Sequence, residues 1–474
     1  MSSKKLFAPT ALVLALALAG CADMSGIQPQ AQQRDAASLG LTGTAPQASQ
    51  VDAQWWRAMG DAQLNRLVDQ AIAGNPNLRI AQARLARAQA VTEVANSAKL
   101  PQVNASLYAT RQLYTENGLV PKPLAGTISE NGTLRLSASW ELDFFGKYQA
   151  ALDGALGTAR AAQADVDAAR ILLASNVVRN YGQLARINDQ LAVATRTLAQ
   201  REEQLRLVRD RVDAGLDTRL ELKQSEGSLP EARQQVEALN EAASLSKNAL
   251  AALVGQPGIA IPPVTLASLK LLGAPAVLPA DLLGQRADIA AARWRVEAAG
   301  YDIKNAKAQF YPNINLVAFA GLSTIGLGRL LDSNSSEWGI GPAIRLPIFE
   351  GGRLRANLRG KTSDYDAAVE SYNAAVIDAV RDVADQLASS QSVARQQAQQ
   401  RLAQDAAEAA YDISIQRYKA GLGNYLNVLA AENAVLAQRR LAVDLAARNL
   451  DSQVGLIRAV GGGYTPDTVT AAQK

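Results

Sequence analysis

Stretches of this chain recur at a fixed distance, and that recurrence limits its possible folds more than any other feature. Arg211-Val-Asp-Ala-Gly215-Leu216 returns 206 residues later as Arg417-Tyr-Lys-Ala-Gly421-Leu422. At the same offset Leu220 meets Leu426, Glu226 meets Glu432 and Gly255 meets Gly461. Arg84 to Pro101 similarly matches Arg295 to Pro312, and Leu142 to Gly146 matches Leu346 to Gly352 with a short gap. A unit written twice has one local fold used twice. The spacing divides the chain into a first repeat, 61–255, and a second, 281–461. Outside them lie a leader (1–20), an N-terminal segment (21–60), a linker (256–280) and a tail (462–474).

Each repeat reads as helix, strand, loop, strand, long helix, tight turn, long helix. Strands are predicted at about 101–112 and 133–146. Val103, Ala105, Leu107 and Ala109 alternate with Asn104, Ser106, Tyr108 and Thr110. Leu134, Leu136, Ala138, Trp140 and Leu142 alternate with Arg135, Ser137, Ser139, Glu141 and Asp143. Period two with one apolar face is the signature of a strand. The second pair is predicted at about 312–322 and 336–349. Val317 and Phe319 there fall on the nominally polar side, and Pro342 and Pro347 argue for an imperfect ladder. The helical hairpins are predicted over about 147–255 and 353–461. Leu184, Leu191, Leu198, Leu205 and Val212 recur every seven residues, with Ile187, Ala194 and Val208 at the offset of a coiled-coil seam. A helix from 147 to 212 would be about 100 Å long at 1.5 Å per residue. Pro230 is expected to kink or break the second helix.

Charge and composition exclude more than they include. The net charge is +4, and Lys4 and Lys5 fall in the leader. The remaining charges are interleaved along the helices without a basic stripe, so nucleic acid is not an expected partner. There is no His and only one Cys. The commonest general base and metal ligand is therefore missing, and a thiol cluster is impossible. No catalytic residue, metal site or cofactor is expected. A carboxylate-only enzyme stays formally open, with no constellation behind it.

The single cysteine has a specific setting. Lys4 and Lys5 precede an apolar run from Leu6 to Gly20, the pattern of an export signal. The run ends Leu18-Ala19-Gly20-Cys21, a lipobox, so cleavage is expected to leave Cys21 as a lipidated N-terminus. Several acyl chains hold a protein stably on a membrane. Ala22 follows, not Asp, which favours sorting to the outer membrane.

No apolar stretch beyond the leader has the length of a spanning helix. Strands with a lipid-compatible face cross a bilayer only as a closed barrel, because open edges leave backbone groups unpaired in hydrocarbon. Four strands per chain are too few to close one, the smallest having about eight. The chain is therefore expected to supply staves to a shared barrel of two or three copies. Trp140, Phe144, Phe145, Trp338 and Phe349 gather near strand ends, as an aromatic girdle requires.

These features resemble the TolC/OprM-type outer-membrane factor family, in its NodT-like lipoprotein branch, over nearly the whole mature chain. The similar stretches are Trp55-Trp56 with Gly60-Asp61 and Leu64, and Asn75-Pro76-Asn77-Leu78. Trp140 to Lys147 follows, then Leu278-Pro279, Leu282-Leu283, Arg286 and Asp288-Ile289, and finally Pro347 to Asn357. The resemblance implies an α+β membrane protein. Its homotrimer would share a twelve-stranded transmembrane β-barrel, continued by a twelve-helix periplasmic α-barrel of coiled-coil hairpins. It also implies a periplasmic adaptor (membrane fusion) protein, an inner-membrane efflux pump, expected to be of RND type, and outer-membrane lipid as partners. The implied role is passive: an exit duct for drugs, solvents or other small toxic compounds. Alternatives are the exit channel of a protein-secretion system, a metal-ion exit, which the few Met and absent His disfavour, and a lipid-anchored coiled-coil scaffold without a pore.

The two turns, Gly215-Leu216 and Gly421-Leu422, are expected to form the periplasmic gate and the contact with the adaptor. Tyr418 stands where family members use a tyrosine to latch adjacent hairpins, and Glu221 where the acidic partner often lies. A Tyr418–Glu221 hydrogen bond is the expectation, with Asp213, Asp217, Arg417 and Asn427 as neighbours. The family's acidic ring is missing, since Gly423, Asn427 and Ala430 occupy its region. Asp213 and Asp217 are the acids left to replace it.

Overall fold

A computed structural model describes residues 23–34, 51–271 and 285–465. Cys21, the leader, residues 35–50 of the N-terminal segment, the end of the linker with Leu278-Pro279 and Leu282-Leu283, and most of the tail lie outside these residues. Two compact units emerge, and neither is a repeat: each draws on both. One comprises the described residues up to Gln33 with Arg84–Ala162 and Ala291–Asn373; the other comprises Arg34–Ala83, Gln163–Ala290 and Ala374 onward. The physical reason is that the two copies of each element pair with one another, strand with strand and hairpin with hairpin.

The first unit holds a four-stranded antiparallel meander, β1 (Gln102–Leu113), β2 (Ile128–Leu142), β3 (Asn313–Ile325) and β4 (Ser336–Arg345), in that spatial order. Register puts the predicted apolar residues on one face. Leu107 opposes Leu134, which opposes Leu322, while Ala105, Leu136, Ala320 and Trp338 form the next row. Leu107, Leu136, Trp338, Ile340 and Ile344 all stay exposed. The face is apolar and uncovered, which is costly in water and suited to lipid.

The other face carries an internal ion pair, Arg135 to Glu337 at 2.9 Å through Nε. This pair resolves the irregularity of strand three. The Arg135 guanidinium lies 4.7 Å from the centre of the Phe319 ring, so the aromatic on the polar side is covered by a cation. Gly339 makes room for that ring: a Cβ there would come within 2.7 Å of Phe319 Cε1. Gly339→Ala is therefore expected to cost about 1–3 kcal/mol through overpacking. The test is the temperature at which the folded form gives way on gels, and an unchanged temperature would refute the contact's importance.

Strand limits differ from the expected ones for local reasons. β2 starts at Ile128, earlier than the pattern implied, because polar Ser129 to Asn131 pair with β1 without alternation to mark them. It ends at Leu142, because Gly146 has φ 72° and Asp143 turns inward to cap a helix. The Asp143 carboxylate accepts from Tyr148 N at 3.1 Å and Gln149 N at 2.7 Å. β4 stops at Arg345, two residues before Pro347, whereas Pro342 is tolerated on the outer strand of the sheet.

Short helices α1 (Ala62–Gly74) and α2 (Pro76–Ser97) precede β1, and α5 (Ala287–Ala308) precedes β3. The hairpins are α3 (Lys147–Asp213) with α4 (Arg219–Val254), and α6 (Arg353–Lys419) with α7 (Tyr425–Ala459). α3 and α6 are each 67 residues long, and α6 and α7 begin 206 residues after α3 and α4. The register within each hairpin is pinned the same way. Arg233 meets Glu202 at 3.4 Å in the first, and at the same offset Arg439 meets Glu408 at 2.7 Å in the second. Of the kink or break expected at Pro230, the break does not occur: α4 runs on through it. Pro230 is exposed, so water can reach the Glu226 carbonyl it leaves unbonded, and Gly227 one turn earlier presents no Cβ. None of the described helices is long and apolar enough to cross a membrane.

The core of the second unit gathers Trp55, Trp56, Leu64, Leu67, Tyr181, Leu184, Leu250 and Leu450. Several family-like residues prove to be its fastenings. Asp61 caps α1 and accepts from Tyr181 Oη at 3.1 Å. Asn75 caps α2 and donates to the Leu253 carbonyl at 2.8 Å. Arg286 donates to the Ala459 carbonyl at 3.1 Å.

Candidate functional site

Both tips close by the same backbone device. Gly215 (φ 73°) and Gly421 (φ 75°) adopt the left-handed conformation that ends a helix. Gly215 N donates to Val212 O at 2.9 Å and Leu216 N to Arg211 O at 2.8 Å; Gly421 N donates to Tyr418 O at 3.0 Å and Leu422 N to Arg417 O at 2.8 Å. Leu216 and Leu422, 66% and 69% exposed, are left projecting from the turns.

The side chains around the tips are not alike. Tyr418 is buried in a cluster with Val208, Tyr425 and Val428. Its hydroxyl donates to Asp217 Oδ2, not to Glu221. Arg211 donates to the same carboxylate at 3.0 and 3.3 Å, and its guanidinium lies 4.6 Å from the centre of the Tyr418 ring. Glu221 is unavailable because the start of α4 uses it. Thr218 N donates to Glu221 Oε2 at 3.0 Å, the Thr218 hydroxyl donates to the same oxygen, and Leu220 N donates back to Thr218 at 3.1 Å. This is a capping box. The bonds from Thr218 hold the Glu221 carboxyl below its ordinary value. Burial, then the Asp217 bond and charge, push the Tyr418 hydroxyl far above its ordinary value, so it stays a donor at any pH the periplasm reaches.

Other candidates are placed separately. Asp213 and Asn427 are exposed at the tips. Asn424 Oδ1 accepts from Asn427 N at 3.1 Å, and Arg417 Nη2 donates to the Leu422 carbonyl at 3.3 Å. The Asp217 charge is matched by Arg211, which leaves Asp213 as the uncommitted acid of the pair. Of the aromatics, Trp140 donates from Nε1 to the Lys99 carbonyl at 2.9 Å, and Phe145 stacks on Tyr311 at 4.9 Å. Phe144 and Phe349 lie in the strand-to-helix turns, while Trp338 is placed near the start of β4, at the other end of that strand.

The residue that sequence reasoning left out of the site is Arg211, although it opens the repeated hexapeptide. A basic residue six positions before an acid, across a left-handed glycine, was the available signal. The arrangement can hold two hairpins together. Among the described residues no group of His, Cys, Asp and Glu is placed to bind a metal.

Such a fold, with an apolar-faced antiparallel sheet and paired helical hairpins closed at their tips, defines an outer-membrane exit duct rather than an enzyme. The chain belongs to the outer membrane efflux protein family, whose model matches residues 67–256 and 278–462. It is 41% identical over 368 residues to the fusaric acid resistance protein FusA of Burkholderia cepacia, covering 75% of this chain and 69% of that one. The pyoverdine export outer membrane protein OpmQ of Pseudomonas aeruginosa is 33% identical over 432 residues, covering 89% and 90%. Among solved structures, the outer membrane protein VceC of Vibrio cholerae superposes with a TM-score of 0.82 at 35% identity, covering 88% and 100%. The protein is thus an efflux channel of the outer membrane, working with an adaptor and an inner-membrane pump.

Proposed function

We propose that three copies close one barrel of twelve strands, continued by twelve periplasmic helices, with Cys21 lipidated and the two repeats alternating around the axis. The observation that carries this reading is the four-stranded sheet with one uncovered apolar face and β1 and β4 at its edges. Such edges need partners in hydrocarbon, and neighbouring copies supply them. The pump is of RND type, and the cargo is small organic compounds, in keeping with relatives named for fusaric acid and pyoverdine.

The periplasmic gate in this reading is the Tyr418–Asp217–Arg211 latch. Leu216 and Leu422 present apolar contacts to the adaptor, and adaptor docking parts the tips. Stepwise conductance and heat-modifiable trimers test the duct. Tyr418→Phe removes one hydrogen bond to a charged group, worth about 1.5–3 kcal/mol. The closed-state conductance of reconstituted channels is expected to rise by about tenfold. Unchanged conductance would sink the latch while leaving the duct standing.

A further inference from the structure

About three turns along α3 from Arg211 lies a second polar contact between the hairpins, more deeply buried than the tip latch. Arg201 is 5% exposed and Glu432 2%. The Arg201 guanidinium reaches three helices at once. From α3 it donates through Nη1 to the Ser228 carbonyl of α4 at 2.9 Å and to Glu231 at 3.1 Å. Through Nη2 it reaches Asn433 of α7 at 3.5 Å, and its Nε lies 3.4 Å from Glu432 Oε2. A fourth helix joins through Gln204, which donates to Tyr411 Oη of α6 at 2.8 Å.

Neither the charges nor the hydrogen bonds of this node balance while Glu432 is ionised. Two carboxylates, Glu231 and Glu432, share one guanidinium. The Glu231 side chain is 75% exposed to water, whereas Glu432 is enclosed. Both Glu432 oxygens and Gln204 Oε1 are buried acceptors without a hydrogen bond of good geometry among the described residues, the contact nearest to one being Arg201 Nε at 3.4 Å from Glu432 Oε2. Three poorly satisfied acceptors are a costly set in a buried site. A proton on Glu432 leaves one cation facing one anion and adds the missing donor beside Gln204.

The duplication shows that this burial is particular to the second hairpin. Glu226 occupies the equivalent place in the first, where it pairs with Lys223 at 2.8 Å and Arg209 at 3.7 Å on the surface. Ala407 stands at the position equivalent to Arg201. The ion pair is therefore not an inherited feature of each hairpin.

We propose that Glu432 is a proton-operated lock between the two hairpins, whose neutral form completes the network around Arg201 and holds the duct closed. The proposal rests on the reading of the tips as a gate. The groups facing Glu432 are Arg201 and Gln204 from α3, Glu231 from α4, Tyr411 from α6 and Tyr425 from its own helix. Arg439 lies further along α7, committed to Glu408. Burial raises the Glu432 carboxyl above its ordinary value, and Arg201, with a smaller contribution from Gln204, offsets this only in part. In an opened duct water reaches the group and its affinity for protons returns to normal. The closed state thus binds the proton more tightly, and linkage makes acid favour closure.

The test is single-channel recording of the full-length trimer while the pH of the hairpin side is lowered from about 7.5 to about 5, a window above the ordinary glutamate value of about 4.3. Wild-type open probability is expected to fall by about tenfold, one pH unit of differential proton affinity being worth that factor. Glu432→Gln is expected to stay as closed at the upper pH as wild type is at the lower, without further response to acid. Glu231→Gln alters only an exposed carboxylate and leaves the fold intact. By removing a like charge it is expected to move the wild-type midpoint down by about 0.5 pH unit. A Glu432→Gln trimer with the wild-type profile overturns the lock. If that variant does not assemble, an unmoved midpoint in Glu231→Gln overturns it. Tyr418→Phe separates the two claims: it should raise conductance at every pH and keep the acid response. Its failure to raise conductance counts against the tip latch, whereas loss of the pH response in wild type counts against the lock.

Discussion

Leu136→Arg is expected to abolish assembly of the duct in the membrane. Leu136 sits in the row Ala105, Leu136, Ala320 and Trp338, midway along β2, with its side chain 53% exposed on the apolar face. An arginine on the lipid face of a barrel costs about 2–4 kcal/mol at the bilayer midplane. A symmetric trimer would carry that cost three times. Heat-modifiable trimer should disappear from outer-membrane fractions of cells making the variant. Ser137→Arg, one residue on and facing the other way, should assemble normally. If both variants assembled equally, the apolar face would not be the lipid face.

Asp217→Ala is expected to loosen the closed tips more than Tyr418→Phe. The tyrosine variant removes one donor, whereas loss of Asp217 removes the acceptor of two partners. It also leaves the Arg211 guanidinium, whose side chain is 13% exposed, without its carboxylate. Truncating one member of a partly buried charge pair costs more than the pair itself contributes. The closed-state conductance should therefore rise by roughly a hundredfold, about 1.5 kcal/mol for the lost tyrosine bond and a similar amount for the stranded guanidinium. Glu221→Ala is the control: it weakens the start of α4 by about 1 kcal/mol and should leave the closed-state conductance near wild type. Conductance rising with Glu221→Ala and not with Asp217→Ala would reverse the assignment.

The parts of the fold governed by periodicity were legible in the residues. Alternation from Leu134 to Leu142 marked β2, and the seven-residue spacing from Leu184 to Val212 marked α3. Other limits were not legible because they depend on backbone and capping chemistry, as with Asp143 ending β2 in order to cap α3. The latch partner was misread for a similar reason. Glu221 and Asp217 are both acids near Gly215, and only the N-cap at Thr218 decides which is consumed locally and which is free to meet Tyr418. The buried node left a trace that periodicity could have exposed. Ile187, Ala194, Arg201 and Val208 are spaced by seven, so Arg201 occupies a seam position where an apolar residue belongs. Phe319 on the polar side of β3 was an anomaly in the pattern. Its explanation needs Arg135 and Gly339, which only the pairing of three strands brings together.

Val212 occupies the place in the first repeat that Tyr418 holds in the second, and Gly423 the place held by Asp217. Each copy thus carries one half of a fastening and lacks the other. A chain built from two first repeats would have two strikes with no bolt, and one built from two second repeats would have two bolts with nothing to engage. The two halves are not interchangeable, and a ring of three such chains would have six tips but three fastenings. In the proposed trimer such a mouth would open as an iris in which alternate blades are released, with the remaining tips carried along by the backbone they share.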